Sequence, residues 1–245
     1  MTFDAGSIES ASEWAAEISQ SAPPQIETVC VLGVNEPPAP GATPTPSLLV
    51  AMFAYADSES QAREWLEPIG SARSHGKIRA QADFMTESFK SLQATNDESF
   101  PDGHRFAADH AWSNSTPREI FSAVRDVAIA APSPRSFVFI SPNLIRTDLK
   151  KTAAEASFSM AGSNNFGAYG FWTDPQQDRA NLGWLRSTMA AVDPLAIGRY
   201  VGEADLSVTP GRASECFSPA AWQKLTALKK KYDPSDVFFS YLNHA

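Results

Sequence analysis

The sequence is poor in cysteine and histidine, carries no excess of positive charge and has no long apolar run. Two cysteines in 245 residues, Cys30 in an apolar stretch and Cys216 near the end, do not make a disulfide framework. Four scattered histidines offer no metal-ligand spacing. A formal net charge of −8 speaks against nucleic acid or an anionic membrane as partner, because both select basic faces. No segment approaches the ~20 apolar residues of a membrane helix. The opening Met1-Thr2-Phe3-Asp4-Ala5 has neither a basic start nor an apolar signal core, so the expectation is a cytoplasmic protein. Gly33, Gly41, Gly70 and Gly76 are isolated, and none opens a helix after a strand as a G-x-G-x-x-G phosphate loop requires.

What remains is an ordinary globular composition, 43% hydrophobic and 20% charged, in a chain long enough to bury a large core; one domain over 1–245 is expected. Ile8, Trp14 or Ala15 and Ile18 form a helical stripe within 7–20, stopped by Pro23-Pro24. Glu27–Val34 and Ser47–Tyr55 read as strands, separated by a loop with five prolines in residues 35–46. A helix follows from Asp57, with Ala62, Trp65, Leu66 and Ile69 inward. Next come a short helix over 85–93, a turn at Phe100-Pro-Asp-Gly103, a strand over 104–112, and a helix capped by Ser115-Thr116-Pro117 and running to about Ala131. Strands over 135–141, 157–160 and 166–173 follow, the last two flanking a Gly162–Asn165 turn. A helix from Asp174-Pro175 to Ala191 and a last strand over 198–203 complete the body. Hairpin-spaced strands mixed with helices predict an α+β fold, an antiparallel or mixed sheet with helices covering one face.

The chain closes with a helix over 218–233. Ser218 caps it, Pro219 occupies the first turn, Lys229, Lys230 and Lys231 complement its carbonyl end, and Pro234 stops it. Trp222, Leu225 and Leu228 share a face, with Tyr232 close behind. This Leu-x-x-Leu-Lys-x-Lys-Tyr-Asp-Pro-x-Asp-x-Phe ending resembles the closing motif of berberine bridge enzyme-like FAD-linked oxidases, where it ends the substrate domain. Ala62-Arg-Glu-Trp-Leu-Glu-Pro-Ile69 resembles that domain's opening. Phe89–Gln93 before Pro101–Arg105 is similar to its "LQ…PGxR" segment, Phe171–Pro175 to its "W-x-D-P", and Arg199–Asp205 to its "Y-x-N-Y-x-D". The resemblance implies the C-terminal, substrate-binding half of such an oxidase without the FAD-binding half, and FAD held mainly by a partner polypeptide if at all.

The candidate site residues follow from both readings. In the "Y-x-N-Y-x-D" segment Tyr200 and Asp205 match, Gly202 stands for the asparagine, and Glu203 stands for the second tyrosine, which in several relatives lies near the flavin. The resemblance thus implies Tyr200 and Gly202 as cofactor-side residues. Glu203 beside Tyr200 can act as acid and base on a substrate; the bland alternative is an exposed strand-end glutamate. Asp109 and His110 on one strand point to opposite faces, so only one is expected to reach a site. His110 shares a face with Phe106, Ala108 and Trp112, and Tyr169 alternates with Gly167 and Phe171. His110, Trp112, Tyr169 and Phe171 are therefore substrate-binding candidates, with core packing as the alternative. For Asp109 the plain expectation is an ion pair with Arg105.

Three functions compete. One is the substrate-binding subunit or half of a flavin-dependent oxidoreductase, joined by an FAD-binding subunit or assembled as a homo-oligomer, and acting on a small-molecule substrate. Another is a cofactor-independent isomerase, cyclase or lyase using Glu203 and Tyr200. The third is a binding module without chemistry.

Overall fold

The structure, a computed structural model, describes residues 1–36, 40–82, 84–143, 156–157, 159–238 and 240. Its strands are β1 (Thr2–Asp4), β2 (Ile26–Gly33), β3 (Ser47–Ala54), β4 (Ile78–Ala80), β5 (Arg105–Ser113), β6 (Phe137–Ser141), β7 (Asn164–Trp172) and β8 (Ala196–Gly198). Its helices are α1 (Ile8–Ser21), α2 (Glu59–Leu66), α3 (Phe89–Ser99), α4 (Pro117–Ile129), α5 (Asp178–Val192) and α6 (Pro219–Tyr232). The strands form one sheet in the order β4-β1-β3-β2-β6-β7-β5-β8, and all pairings among the described residues are antiparallel.

Alternation along these strands divides the side chains between two faces. Leu32, Leu48, Val138, Ile140 and Phe166 point to one face, where α1, α4 and α5 pack side by side and bury them with Ile8, Ile120 and Phe121. The expected α+β arrangement, helices on one face of an antiparallel sheet, is the one observed. Helix starts follow local chemistry. At α4 the Thr116 hydroxyl accepts from Glu119 N at 3.2 Å while the Glu119 carboxylate accepts from Thr116 N at 2.7 Å, and Pro117 sits in the first turn.

Several expectations need correction. The short helix begins at Phe89 rather than Met85, because Ser88 and Ser91 form a reciprocal cap at that point. Ser157, Ser159 and Met160 are irregular, with Phe158 outside the described residues, and Asn164 and Asn165 belong to β7 instead of a turn. The last strand ends at Gly198, and Tyr200–Glu203 is a turn.

The closing helix α6 lies where its caps placed it, Ser218 accepting from Ala221 N at 3.3 Å. Its apolar stripe is not buried: Leu228 is 40% and Tyr232 71% exposed, while Trp222 packs on Phe217 with ring centroids 5.8 Å apart. Its exit is tied by charge. The Asp233 carboxylate accepts from Val237 N at 2.8 Å and Phe238 N at 3.1 Å, and Lys229 bridges Asp233 and Asp236. Lys229 thus belongs to the turn as well as to the helix end.

Candidate functional site

Among the described residues no helix packs across the other face of the sheet. The register there sets Phe106, Ala108, His110 and Trp112 of β5 opposite Phe171, Tyr169, Gly167 and Asn165 of β7, which face Phe137, Phe139 and Ser141 of β6. The rings form one cluster. Phe137 stacks on Tyr169 at 5.2 Å and 15°, Phe106 meets Phe171 at 4.9 Å, Phe139 meets Tyr169 at 5.6 Å, and Phe100 closes one end against Phe171 at 5.4 Å. Gly167 is a requirement of this packing, since a Cβ there would stand 2.3 Å from Phe139 Cε1.

The chain that follows β8 supplies the polar groups. β8 pairs with β5 only at Trp112 and Ser113, so the rest of that edge of β5 is free for the 199–212 segment. Arg199, 4% exposed, donates to the His110 carbonyl at 3.1 Å and to Glu215 Oε2 at 3.3 Å, and it pairs with Asp193. Asp109 accepts from His110 N at 2.8 Å and Asp205 N at 3.1 Å and pairs with Arg212 at 3.0 Å. Arg105 instead holds Asp178 through two bonds, of 2.5 and 2.7 Å, which corrects the expected Asp109–Arg105 pair. Asp109 and His110 do alternate across the strand, yet both grip the same segment, because that segment wraps an edge and so reaches both faces.

His110 is fully enclosed, and both ring nitrogens are used. Nδ1 accepts from Tyr200 N at 3.0 Å, so the proton sits on Nε2, which donates to Asn165 Oδ1 at 2.5 Å. Burial pushes its pKa down to about 4, with the Arg199 charge acting in the same direction and the Asn165 bond opposing. The ring is a neutral bracket for the backbone of Tyr200. This accounts for the missing strand: the Tyr200 amide is satisfied by an imidazole and Arg199 by carboxylates, leaving no ladder to extend.

The turn then brings the carboxylate back over the rings. Glu203 N and Ala204 N both donate to the Tyr200 carbonyl, at 3.0 and 2.9 Å. The Tyr169 phenol lies beside the Glu203 carboxylate, and burial first, then its interaction with Glu203 and the charge of Tyr200, push the Tyr169 pKa far upward. The phenol stays protonated. Glu203 Oε2 is enclosed without a hydrogen-bond partner. Gly202 lies beneath the Tyr200 ring: a Cβ there would stand 2.9 Å from Cζ and 3.0 Å from the hydroxyl.

The structure therefore gathers Glu203, Tyr200 and Tyr169 at one place. Gly202 shapes the position of Tyr200, while Trp112 (2% exposed) and Phe171 (3%) form the floor and His110 the bracket. Sequence reasoning missed Phe137, Phe139, Asn165 and the Arg199–Arg212 carboxylate network. Phe137 and Phe139 are one pleat apart and thus announce a shared face; nothing local announces the network, whose members lie up to 103 residues apart. Among the described residues no group of three or more His, Cys, Asp and Glu can hold a metal ion, and no helix is long and apolar enough to cross a membrane.

No family model matches the sequence. The FAD-linked oxidoreductase nodO of Hypoxylon pulicicidum is 22% identical over 223 residues, covering 91% of this chain and 47% of that protein. Berberine bridge enzyme from Eschscholzia californica superposes at a TM-score of 0.74 with 12% identity, over 98% of this chain and 52% of that one. The 6-hydroxy-D-nicotine oxidase from Arthrobacter nicotinovorans does so at 0.68 with 16% identity, over 96% and 51%. The chain spans about half the length of the relatives it matches. Sequence and fold agree on one relationship, with the berberine bridge enzyme-like, FAD-linked oxidases.

Proposed function

We propose that this half-length relative of the FAD-linked oxidases supplies the substrate-binding face of a flavin-dependent oxidoreductase acting on a small organic substrate. The observation that carries the reading is the Glu203–Tyr169 carboxylate–phenol pair standing at a continuous aromatic sheet face. Such a face fits the planar ring end of FAD. No described segment offers a G-x-G-x-x-G cradle for its pyrophosphate, so FAD is held mainly by a flavin-binding polypeptide, joined to this chain or separate. When bound, the flavin supplies the electron-accepting chemistry.

The chain's own residues manage the proton and the geometry. Glu203 accepts a proton from the substrate, the protonated Tyr169 phenol beside it steadies the carboxylate, and the Tyr200 ring lies over Gly202. His110 and Asn165 fix the Tyr200 backbone. Phe106, half exposed, excludes water together with the already buried Tyr169, Phe171 and Trp112 once a partner covers them. Co-expression with the flavin-binding half of a relative tests this: a yellow complex that oxidises substrate is expected, with Glu203→Gln retaining the colour and losing about 10²–10⁴-fold in turnover. A colourless, non-associating chain would defeat the proposal. The acid–base pair lies wholly within this chain, which favours one second reading, a cofactor-independent isomerase or lyase; turnover by the purified colourless chain distinguishes it.

A further inference from the structure

We infer that residues 199–212 form a lid, closed over Glu203 in this structure, which lifts as one unit while the sheet beneath it stays folded. The inference rests on the reading of Glu203 as the acid–base group, because a substrate has to reach that carboxylate.

The polar end of the aromatic face is shut. Glu203 Oε2 is enclosed, Tyr169 is 9% exposed and Trp112 2%, whereas Phe106, farther along β5, is 50% exposed. The segment lying against this end is the one that carries Glu203: the Tyr200 ring meets His110 at 5.8 Å, and Glu203 stands beside Tyr169.

The way this segment is held sets it apart from the sheet. Its two ends are fixed, since Gly198 pairs with Trp112 and Ala213 is fully buried. Between them, among the described residues, Arg199 is the only buried side chain, and no apolar one is buried. The attachments to the sheet are polar and all run to two consecutive residues of β5. Tyr200 N donates to His110 Nδ1 at 3.0 Å and Asp205 N to Asp109 Oδ1 at 3.1 Å; Arg199 donates to the His110 carbonyl at 3.1 Å and Arg212 to Asp109 Oδ2 at 3.0 Å.

Polar contacts of this kind are exchanged for water when they break, and a buried ion pair recovers hydration that offsets much of its attraction. Lifting the segment therefore gives up little apolar burial of its own. Opening β7 instead uncovers Phe166 and Ala168, both fully enclosed. A segment with few buried apolar contacts opens below the free energy of global unfolding, and the shared anchors on Asp109 and His110 make this one release together.

Amide hydrogen exchange of the full chain, followed by NMR at pH 7 and corrected for intrinsic rates, tests the lid. Tyr200 and Asp205, whose amides are bonded to β5 side chains, are expected to share one protection factor at least about 100-fold below that of Phe166 and Ala168, and to keep it in low urea that speeds exchange in β7. Arg212→Gln removes the lid's half of the pair with Asp109 and should speed Tyr200 and Asp205 together by about tenfold or more. Ile120→Val, under the opposite face, should speed Phe166 and Ala168 by about 2–10-fold and leave Tyr200 and Asp205 unchanged. Tyr200 and Asp205 exchanging as slowly as β7, or speeding with it in Ile120→Val, overturns the lid; so does an absence of protection at both, which would mean that the closed form is not populated. Each of these leaves the role of Glu203 to be judged by the turnover of Glu203→Gln, and unchanged turnover there would defeat that role while the exchange pattern still stood.

Discussion

On the helix-covered side of the sheet, Phe166, Val138, Ile140 and Leu32 are at most 1% exposed; on the open side of the same sheet, Phe106 is 50% and Phe53 36% exposed. Both sets are strand-forming apolar residues, so β-propensity does not separate them. What separates them, among the described residues, is the cover: three helices on one side, and on the other the turn carrying Glu203 together with Phe100, which leave Trp112 and Phe171 buried but Phe106 open. The covered side has one solution, close packing. The open side holds rings in order through Gly167 and the ring contacts while leaving part of their area available, as a binding face requires.

The largest effect that would sharpen this contrast belongs to the covered side. Phe121→Ala should cost about 3–5 kcal/mol of unfolding free energy in urea titrations, because a fully buried ring leaves a cavity. Asp109→Ala should cost about 3–4 kcal/mol, the lower part of the range for a broken buried pair, since Arg212 keeps Asp193 and Glu215 at 3.7 Å.

Acid should act through His110. Its folded pKa of about 4 lies below the ordinary value of 6.5. Above about 6.5 both states are neutral; below it the unfolded chain takes the proton and the folded chain does not, so stability falls as the pH drops toward 4, by about 3 kcal/mol. His110→Asn, which keeps an acceptor near the Nδ1 position for Tyr200 N, should lose this part of the pH dependence while holding the loop. An unchanged slope in that variant would remove His110 from the account.

Smaller effects belong to the open side. Gly167→Ala should cost about 1–3 kcal/mol by driving Phe139 off the strand, read as a loss of stability and of ring packing in NMR spectra. Phe106→Ser should cost about 1 kcal/mol or less in the isolated chain and weaken ligand or partner binding more than stability. If Phe106→Ser proved as damaging as Phe121→Ala, the distinction between the two faces would collapse.

Local chemistry made much of the fold legible. The Thr116 and Ser218 caps, the proline stops and the apolar strands β2 and β3 are written within a few residues of where they act, and the structure places them within one or two positions. The 199–205 segment is different. Its conformation depends on Asp109 and His110, about 90 residues earlier, and on Glu215, so a reading of neighbours extends β8 where distant side chains have already taken its amide and its arginine. Glu203 and Tyr200 were visible as candidates through their motif. Their meeting with Tyr169, and the rings of Phe137 and Phe139 around them, required the register.

The strand order also fixes a sequence of events during folding. β7 pairs with β6 on one side and with β5 on the other, so until residue 172 exists β6 has only β2 beside it and β5 has no partner. A chain emerging from a ribosome would complete the β1–β3–β2 hairpin region early and then carry β5 with open edges until β7 is made. Such contacts, distant in sequence, form slowly, and exposed edges invite pairing with other chains. The strand that supplies Gly167 and Tyr169 is therefore also the one whose late arrival governs whether the protein folds or aggregates.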